Sequence, residues 1–393
     1  MRIGPAAVAA MMLAATLASP AAAQDAGAAH TGFTIRATGY LQLDARAFPD
    51  WGVRPGTPRL ERDTLAIRRL RGGVDGAWRN TSFELSVDPF DDEDNIIKDA
   101  YLQLALKARH RIRVGQFKIP GSREYDTTAR RTDFLERSIL AAELAAGRDI
   151  GVRIDGRLRS FRYEAGVFAG DGVGRRERAG VTIAGRGRWE PIRGLELAMF
   201  GSIGDTTADE TAAANGLDGR SAAGYRFFER VYVDGRRARF GGDAEWTSGP
   251  WRITADALRV HDQRRGQSPD YDDLPSFLAQ AWTVGASRRF GDGAANGDRV
   301  ERWPWQVAAR YEQAIFDDVG PVTERASVRP RATDIRRRGV DTVTTGLSYQ
   351  ATRWLRVLSE AGLERYREPH SAPSPGRSGS YVTAGLRLQI EFR

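Results

Sequence analysis

The chain has 393 residues, with 59 basic and 51 acidic side chains, a formal net charge of +8 and no cysteine. The lack of cysteine excludes disulfides, thiolate chemistry and cysteine-bound metals. The mean hydropathy is negative, and no segment after the N-terminus has the roughly 20 apolar residues that a transmembrane helix needs. A soluble protein or a β-barrel remains, since only half of the residues in a barrel's spans are apolar.

The N-terminus has the layout of a secretory signal peptide. Met1-Arg2 gives a short positive region, residues 3–17 are apolar, and residues 21–23 form an Ala-x-Ala cleavage site before Gln24. We therefore predict a signal peptide over residues 1–23, a flexible leader over 24–32 and a barrel domain over 33–393. A basic balance favours polyanions or acidic solutes, but an exported protein seldom meets nucleic acid, so nucleic acid is not an expected partner.

From Phe33 onward the sequence alternates between apolar and polar residues in segments of about 8 to 14. Phe33, Ile35 and Ala37 share one face of the first segment, while Thr34 and Arg36 share the other. Such period-two alternation predicts a strand with one apolar and one polar face. The pattern recurs through the chain. It predicts an all-β fold, a transmembrane antiparallel β-barrel of about 16 strands.

The connections alternate between tight turns and long polar loops. A connection over 291–302 is longer than the other turns, and 224–233 could form a further strand. Short turns on one rim and long loops on the other are typical of outer-membrane barrels, whose turns are periplasmic and whose loops are extracellular. Aromatic residues near strand ends predict interfacial girdles. The eight predicted long loops cover residues 49–60, 89–95, 119–147, 170–179, 205–234, 263–276, 317–337 and 368–378.

No catalytic or metal-binding motif is present. The four histidines are scattered, and no nucleophile elbow, Walker loop or HExxH motif occurs. We therefore predict no enzyme activity and no cofactor. The acidic run Asp88–Asp94 is either a solvated loop or an oxygen-ligand site for calcium or other cations. An enzyme or adhesin that acts through its loops is the alternative of another class.

Arginines dominate the polar face of the predicted strands. A charge facing lipid is costly, so parity directs Arg69 and Arg71 into the lumen. Arg68 breaks the alternation, which a bulge or the aqueous rim would accommodate. The third long loop is the candidate for a constriction, because a wide barrel is open unless something folds inward. The predicted anion-binding and pore-lining residues are Arg68, Arg69, Arg71, Lys118, Arg123, Arg130, Arg131, Arg137, Arg148 and Arg153, with Asp99 as an acidic residue of the constriction.

Five short motifs resemble the phosphate-selective porin O and P family in order and spacing. They are Ile67-Arg68-Arg69-Leu70-Arg71, Ile97-Lys98-Asp99-Ala100-Tyr101, Val114-Gly115-Gln116-Phe117-Lys118-Ile119-Pro120, Phe134-Leu135-Glu136-Arg137-Ser138 and Gly147-Arg148-Asp149-Ile150-Gly151-Val152. The resemblance is good over residues 39–170 and weaker afterwards.

The resemblance implies a 16-stranded, usually trimeric porin of the Gram-negative outer membrane, surrounded by lipid and lipopolysaccharide, with loop three folded inside. It implies passage of phosphate, polyphosphate or other anions along arginines and lysines. Arg68, Arg69 and Arg137 match basic positions of the family, and Asp99 matches an acidic one. Tyr40 stands where phosphate-specific members have an arginine, and loop three differs by the added Arg130-Arg131.

The sequence thus predicts passive diffusion of small anions, with phosphate or polyphosphate as the first choice. Guanidinium groups bind phosphate and carboxylate in a forked geometry and stay charged at physiological pH. The alternative is a general-diffusion porin with a charge-balanced lumen, because carboxylates share the same face. Arg153 and Asp155, two residues apart, are an example of such a structural pair.

Overall fold

The computed structural model describes the sixteen strands, loop three (residues 119–147) and short parts of the other long loops. The predicted signal peptide, most of the possible strand at 224–233 and most of the acidic run after Asp88 lie outside the described residues. The described residues are 30–48, 63–90, 96–106, 109–170, 172, 180–207, 217, 221–222, 233–266, 272–291, 303–319, 338–367 and 380–392.

Within these ranges, sixteen antiparallel strands form a closed barrel in which each strand pairs with its neighbours in sequence and β1 pairs with β16. This confirms the predicted architecture and strand number. The strands are β1 His30–Ala47, β2 Thr64–Arg79, β3 Thr81–Val87, β4 Ile97–Ala105, β5 His110–Lys118, β6 Arg148–Leu158, β7 Phe161–Phe168, β8 Val181–Ile192, β9 Leu195–Thr207, β10 Asp234–Ser248, β11 Trp251–Arg264, β12 Leu274–Phe290, β13 Trp305–Val319, β14 Arg338–Gln350, β15 Leu355–Arg367 and β16 Ser380–Phe392.

The alternation along each strand separates an apolar outer wall from a polar inner wall. On β10, Phe240 is 61% exposed on the outside, while Arg239 and Asp243 are buried inside. Ile183 and Met199 repeat the outer pattern on β8 and β9. Large apolar side chains that would be unfavourable in water are covered when lipid surrounds the barrel. Among the described residues, no helix has the length and apolar character to cross a membrane.

The two rims differ as the sequence predicts. Tight connections use residues with positive φ, including Arg79, Arg159, Gly194 and Gly249, because two-residue hairpin turns need left-handed backbone. Exposed tryptophans lie beside these connections and form a girdle at the short-turn rim. They are Trp78, Trp189, Trp246, Trp251, Trp305 and Trp354.

Loop three, residues 119–147, folds into the barrel, as predicted. It contains the short helix α1 (Arg123–Asp126), a 3-10 turn (Ala129–Arg131) and a π-helical turn (Leu140–Leu144). The π-helical turn packs against apolar side chains on the inner wall of β9 to β14. The fifth predicted long loop, residues 205–234, reaches the same cluster through Leu217, and its Ser221 hydroxyl lies 3.0 Å from the hydroxyl of Tyr366.

The seam between the first and last strands depends on a glycine. Gly39 pairs with Phe392 on one side and with Gly72 on the other. A Cβ at Gly39 would lie 2.2 Å from the Phe392 ring and 2.6 Å from the backbone oxygen of Arg71. At Gly72 a Cβ would meet nothing within 4 Å. The aromatic ring of the last strand therefore covers the bare backbone of the first.

We expect Gly39→Ala to destabilise the barrel by about 1–3 kcal/mol, since a backbone oxygen cannot move aside as a side chain can. Urea unfolding of the purified barrel, followed by its shift in gel mobility, measures the effect. Gly72→Ala is the matched control, and its unfolding midpoint should equal that of the unchanged chain. Equal midpoints for both variants would contradict the proposed packing.

Candidate functional site

A β-bulge in β2 sets the positions of its arginines. Gln42 pairs with Arg69 and Leu43 pairs with Ile67, so Arg68 is the extra residue. Its guanidinium lies 3.0 Å from Glu136 of loop three, and Glu136 also binds Arg46. The extra residue reverses the alternation along the strand, so Ile67 faces outward before the bulge and Arg69 faces inward after it. The bulge thus lets two consecutive arginines both act on the aqueous side.

Loop three and the first half of the barrel enclose a cavity of about 430 Å³, here called the basic chamber. Its wall comes from β1 to β8 and from part of loop three. Tyr40, Tyr101 and Ser86 also line it. The ten basic lining residues are Arg69, Arg71, Lys98, Arg113, Lys118, Arg130, Arg137, Arg148, Arg153 and Arg188, and the five acidic ones are Glu84, Asp88, Asp99, Asp126 and Glu164.

Two carboxylates of the wall hold four of these arginines in place. Asp99 binds Arg71 and Arg148, the latter at 3.2 Å. Glu164 binds Arg153 at 3.0 Å and also binds Arg188. A fifth arginine, Arg130, reaches Glu391 at 3.2 Å, and Arg153 also pairs with Asp155, as predicted. These pairs fix guanidinium groups at the chamber wall and cancel much of their charge.

Four other cations of the chamber form no ion pair with a carboxylate among the described residues. Arg69 donates to the Gln42 amide oxygen at 3.2 Å, and Arg113 donates to Gln103 at 2.8 Å. Lys118 donates to the Tyr125 carbonyl, and Arg137 donates to the Thr127 carbonyl. The four neutral acceptors are Gln42, Gln103, Tyr125 and Thr127. Because these acceptors carry no charge, they orient the cations and leave their positive potential in the chamber.

Aromatic rings further restrict Arg113 on the chamber wall. Its guanidinium carbon lies 4.0 Å from the ring centre of Tyr101 and 5.4 Å from that of Phe117. Phe117 itself is buried and packs edge-on against Tyr101 and Phe168. A cation held over a ring face keeps its charge and loses rotational freedom. Arg113 therefore presents a fixed fork of donors to the chamber.

The opposite side of loop three is fastened to the wall of β9 to β15. Wall carboxylates accept loop backbone N–H groups, with Glu312 at 2.8 Å from the Ile139 nitrogen and Glu360 at 2.6 Å from the Leu135 nitrogen. Wall arginines donate to loop carbonyls: Arg239 to Leu144 at 2.8 Å and Arg356 to Thr132 at 3.0 Å. Charged wall residues thus satisfy the irregular backbone that loop three brings into the lumen.

The predicted pore-lining residues divide into two groups. Arg69, Arg71, Lys118, Arg130, Arg137, Arg148 and Arg153 come together in the basic chamber with Asp99. Arg68 points to Glu136, as described above. Arg123 lies on the far side of loop three and binds Glu196 and Glu245. Arg131 is exposed and lines a separate cavity of about 50 Å³ against β11 to β13.

Two chamber arginines, Arg113 and Arg188, are absent from the predicted set. Strand parity alone directs both inward, so the signal was present in the alternation. No comparable signal existed for the fastening of loop three. Its contacts join residues far apart in sequence, such as Ile139 and Glu312.

Two carboxyl groups of loop three respond to their surroundings in opposite ways. Burial alone would raise the pKa of Glu136, but the guanidiniums of Arg68 and Arg46 outweigh it and hold this pKa far below its ordinary value. Loss of hydration raises the pKa of Asp126 to about 6, although Arg186 and Lys118 act against the rise. Glu136 is therefore a permanent anion, and Asp126 is a group that titrates close to neutral pH.

A family model for phosphate-selective porins O and P matches residues 36–392. The chain belongs to that family. A comparison with curated protein sequences gives no match.

Solved structures similar to this porin share its fold at low sequence identity. The outer membrane protein OmpT of Vibrio cholerae, as a loop L8 deletion mutant, has a TM-score of 0.58 and 14% identity, covering 91% of this chain and 99% of its own. An anion-selective porin from Comamonas acidovorans has a TM-score of 0.54 and 10% identity, covering 92% and 100%. The outer membrane channel DcaP of Acinetobacter baumannii has a TM-score of 0.55 and 13% identity, covering 92% and 98%.

We expect Leu144→Asp to release loop three from the wall. Leu144 is fully buried in the apolar cluster, and an unpaired carboxylate there would cost several kcal/mol. The single-channel conductance of the variant in planar bilayers should rise and become noisy. Ala142→Asp adds the same charge two residues away at an exposed position and should keep a steady conductance. A quiet, unchanged Leu144→Asp channel would show that the apolar contact does not hold the loop.

The titration of Asp126 gives a pH dependence. Asp126 lines the basic chamber, so protonation of its carboxyl group removes one negative charge from the lining. Preference for chloride over potassium should therefore increase as the pH falls from 7 to 5. Reversal potentials in a salt gradient measure this change. Asp126→Asn should show the higher preference already at pH 7 and little further change, whereas an equal pH response in that variant would assign the effect to another group.

Proposed function

We propose that this porin is an outer-membrane channel for the passive diffusion of small anions, with phosphate or polyphosphate as its preferred solutes. The observation that carries the proposal is the set of four chamber cations, Arg69, Arg113, Lys118 and Arg137, that have no carboxylate partner in the part of the chain that the structure describes. These four are among the ten basic residues of a lining that has five acidic ones. Fixed positive charge in a narrow aqueous passage attracts anions and repels cations.

The passage mechanism follows from the chemistry of the chamber. An anion that enters exchanges part of its hydration shell for guanidinium and ammonium donors, and it moves on because several such sites compete for it. The forked donors of Arg69 and Arg137 suit the tetrahedral oxygens of phosphate. The paired residues Arg71 and Arg148 add donors with less net charge. Weak sites in series permit both entry and release.

The similarity to known structures supports this proposal without choosing the solute. One of the similar barrels is described as an anion-selective porin, and the family itself is described as phosphate-selective. Phosphate-specific members of the family have an arginine where this chain has Tyr40. We therefore propose that the channel passes a wider range of anions than phosphate alone. Removal of the signal peptide over residues 1–23 and a trimeric state are part of the same proposal.

A charge-balanced general porin is the second candidate, favoured by the dense ion pairing around loop three. Arg123 alone contacts Glu196, Asp243 and Glu245. If carboxylates neutralised the chamber arginines to the same extent as Arg123, the channel would discriminate little between anions and cations. Bilayer measurements separate the two candidates directly.

We expect the reversal potential in a potassium chloride gradient to show anion preference, and phosphate to block the chloride current. Replacing Arg69 or Arg137 by alanine should lower the anion-to-cation permeability ratio by about fivefold each, since one charge at about 4 Å contributes about 1 kcal/mol in water. Phosphate block should weaken by a similar factor. Arg69→Lys, which keeps the charge, should recover the permeability ratio and less of the phosphate block.

The matched control is Arg36→Gln. Arg36 is exposed, pairs with Asp75 at 2.9 Å and does not line the basic chamber. Its loss should change phosphate block by less than twofold. A preference for cations in the unchanged channel would contradict the proposal of anion passage. If phosphate blocked both alanine variants as it blocks the unchanged channel, Arg69 and Arg137 would not belong to the proposed anion site.

A further inference from the structure

The outer wall of β11 to β15 carries a row of polar side chains at positions where the alternation points to lipid. Direct pairs in the row are Arg259 with Gln280, Gln313 with Asp341, and Asp341 with Arg365. Gln280 and Gln313 are diagonal neighbours, since Gln313 pairs with Trp282, two residues along the strand from Gln280. Its neighbours on the same outer face are apolar and exposed, including Phe240 at 61% and Val284 at 45%. The outer polar row, defined as Arg259, Gln280, Gln313, Asp341 and Arg365, therefore interrupts an apolar surface.

Hydrogen bonds connect the middle of the outer polar row. The Trp282 indole nitrogen donates to Gln313 at 3.3 Å, and the Gln313 amide donates to Asp341 at 2.8 Å. The Tyr311 hydroxyl also donates to Asp341 at 2.8 Å, and Arg367 forms an ion pair with it. Asp341 is thus fully occupied by donors. The row has a built, fixed centre.

The two ends of the row are free cations. Arg259 and Arg365 are exposed, and neither forms an ion pair or a side-chain hydrogen bond with the part of the chain that the structure describes. Arg365 lies opposite Asp341, whose ion-pair partner Arg367 has a side chain that is 59% exposed, and Arg259 lies three strands away at the other end of the row. An unpaired cation on a lipid-facing wall is stable only where an anion or water reaches it. The positive charge of the outer polar row therefore favours an anionic partner.

The height of the row identifies which part of the membrane it meets. Arg259 lies eight residues along its strand from Trp251, and Gln313 lies eight from Trp305, two girdle residues of the short-turn rim. Eight residues at about 3.3 Å each, on strands tilted by about 40°, rise about 20 Å. The apolar band of such barrels is about 25 Å tall. Arg259 and Gln313 therefore lie in the upper part of the band, about 5 Å below its edge on the side of the long loops, a distance that an arginine side chain can span.

We propose that the outer polar row binds the phosphate groups of lipopolysaccharide in the outer leaflet. Arg259 and Arg365 would each present a guanidinium fork to a phosphate, while the exposed ring of Trp282 and the half-buried ring of Tyr311 would lie beside the acyl chains at the same level. The proposal rests on the orientation of the barrel in an outer membrane and is independent of the solute that crosses it.

The test measures binding of bisphosphorylated lipopolysaccharide to the purified full-length porin in detergent, by native mass spectrometry and by fluorescence titration. Arg259→Gln with Arg365→Gln should weaken binding about 25-fold, at about fivefold per arginine. Arg79→Gln with Arg288→Gln is the matched control. These arginines lie over Trp78 and Trp251 at the opposite rim, and their loss should leave the affinity unchanged.

Two further arms identify the ligand. Chemical removal of the phosphates from lipopolysaccharide should weaken its binding to the unchanged porin by a similar factor, and phosphatidylglycerol should compete poorly. The proposal is overturned if the Arg259/Arg365 variant binds lipopolysaccharide as tightly as the unchanged chain, or if phosphatidylglycerol binds the row equally well. A loss of oligomers with unchanged lipopolysaccharide affinity would instead assign the row to contact between copies of the chain. Conductance and anion preference should stay unchanged in this variant, so the result does not depend on the proposed solute.

Discussion

The seating of loop three on the inner wall is the contact on which the rest of the lumen depends. Leu140 and Leu144 bury their side chains against Val260, Phe277 and Phe316, and each fully buried side chain of this size contributes about 1.5–3 kcal/mol. Burial alone would leave the irregular backbone of the loop without partners, which is costly away from water. Wall carboxylates and arginines supply those partners. Apolar contact holds loop three against the wall, and charged wall side chains provide the hydrogen bonds that its backbone groups need there.

This arrangement divides the charges of the inner wall between two tasks. In the half formed by β9 to β16, Arg239, Arg310 and Glu312 are engaged by the loop or by each other. In the half formed by β1 to β8, neutral acceptors orient several cations and leave their charge available. The net charge of the chain is therefore a poor guide to the field in the passage. Which cations have carboxylate partners matters more than how many cations there are.

The sequence predicted the barrel well because alternation is a local signal that each strand carries by itself. Each predicted long loop covers a connection between two observed strands, although β9, β11, β12 and β13 extend by two or three residues into the predicted loops. The irregularity at Arg68 is a bulge, one of its two predicted explanations. The candidate site was less predictable. Arg123 and Arg131 were placed with the other loop arginines, yet they lie on another side of the loop. The direction of a loop side chain depends on tertiary contacts such as Arg123 with Glu196, for which the sequence offers no periodicity.

Residues whose polarity does not fit their face of the barrel indicate where the wall has partners other than water and lipid. A polar residue that faces inward needs only water as a partner, and an apolar residue that faces outward needs only lipid. Phe277 and Phe316 face inward, and each is completely buried because loop three covers it. Arg259 and Arg365 face outward and break the pattern in the opposite sense. By the same reasoning they require a partner that is neither hydrocarbon nor the protein wall, and an anionic headgroup at that height supplies one. The inner exceptions identify the seat of the loop, and the outer exceptions identify a contact with the membrane.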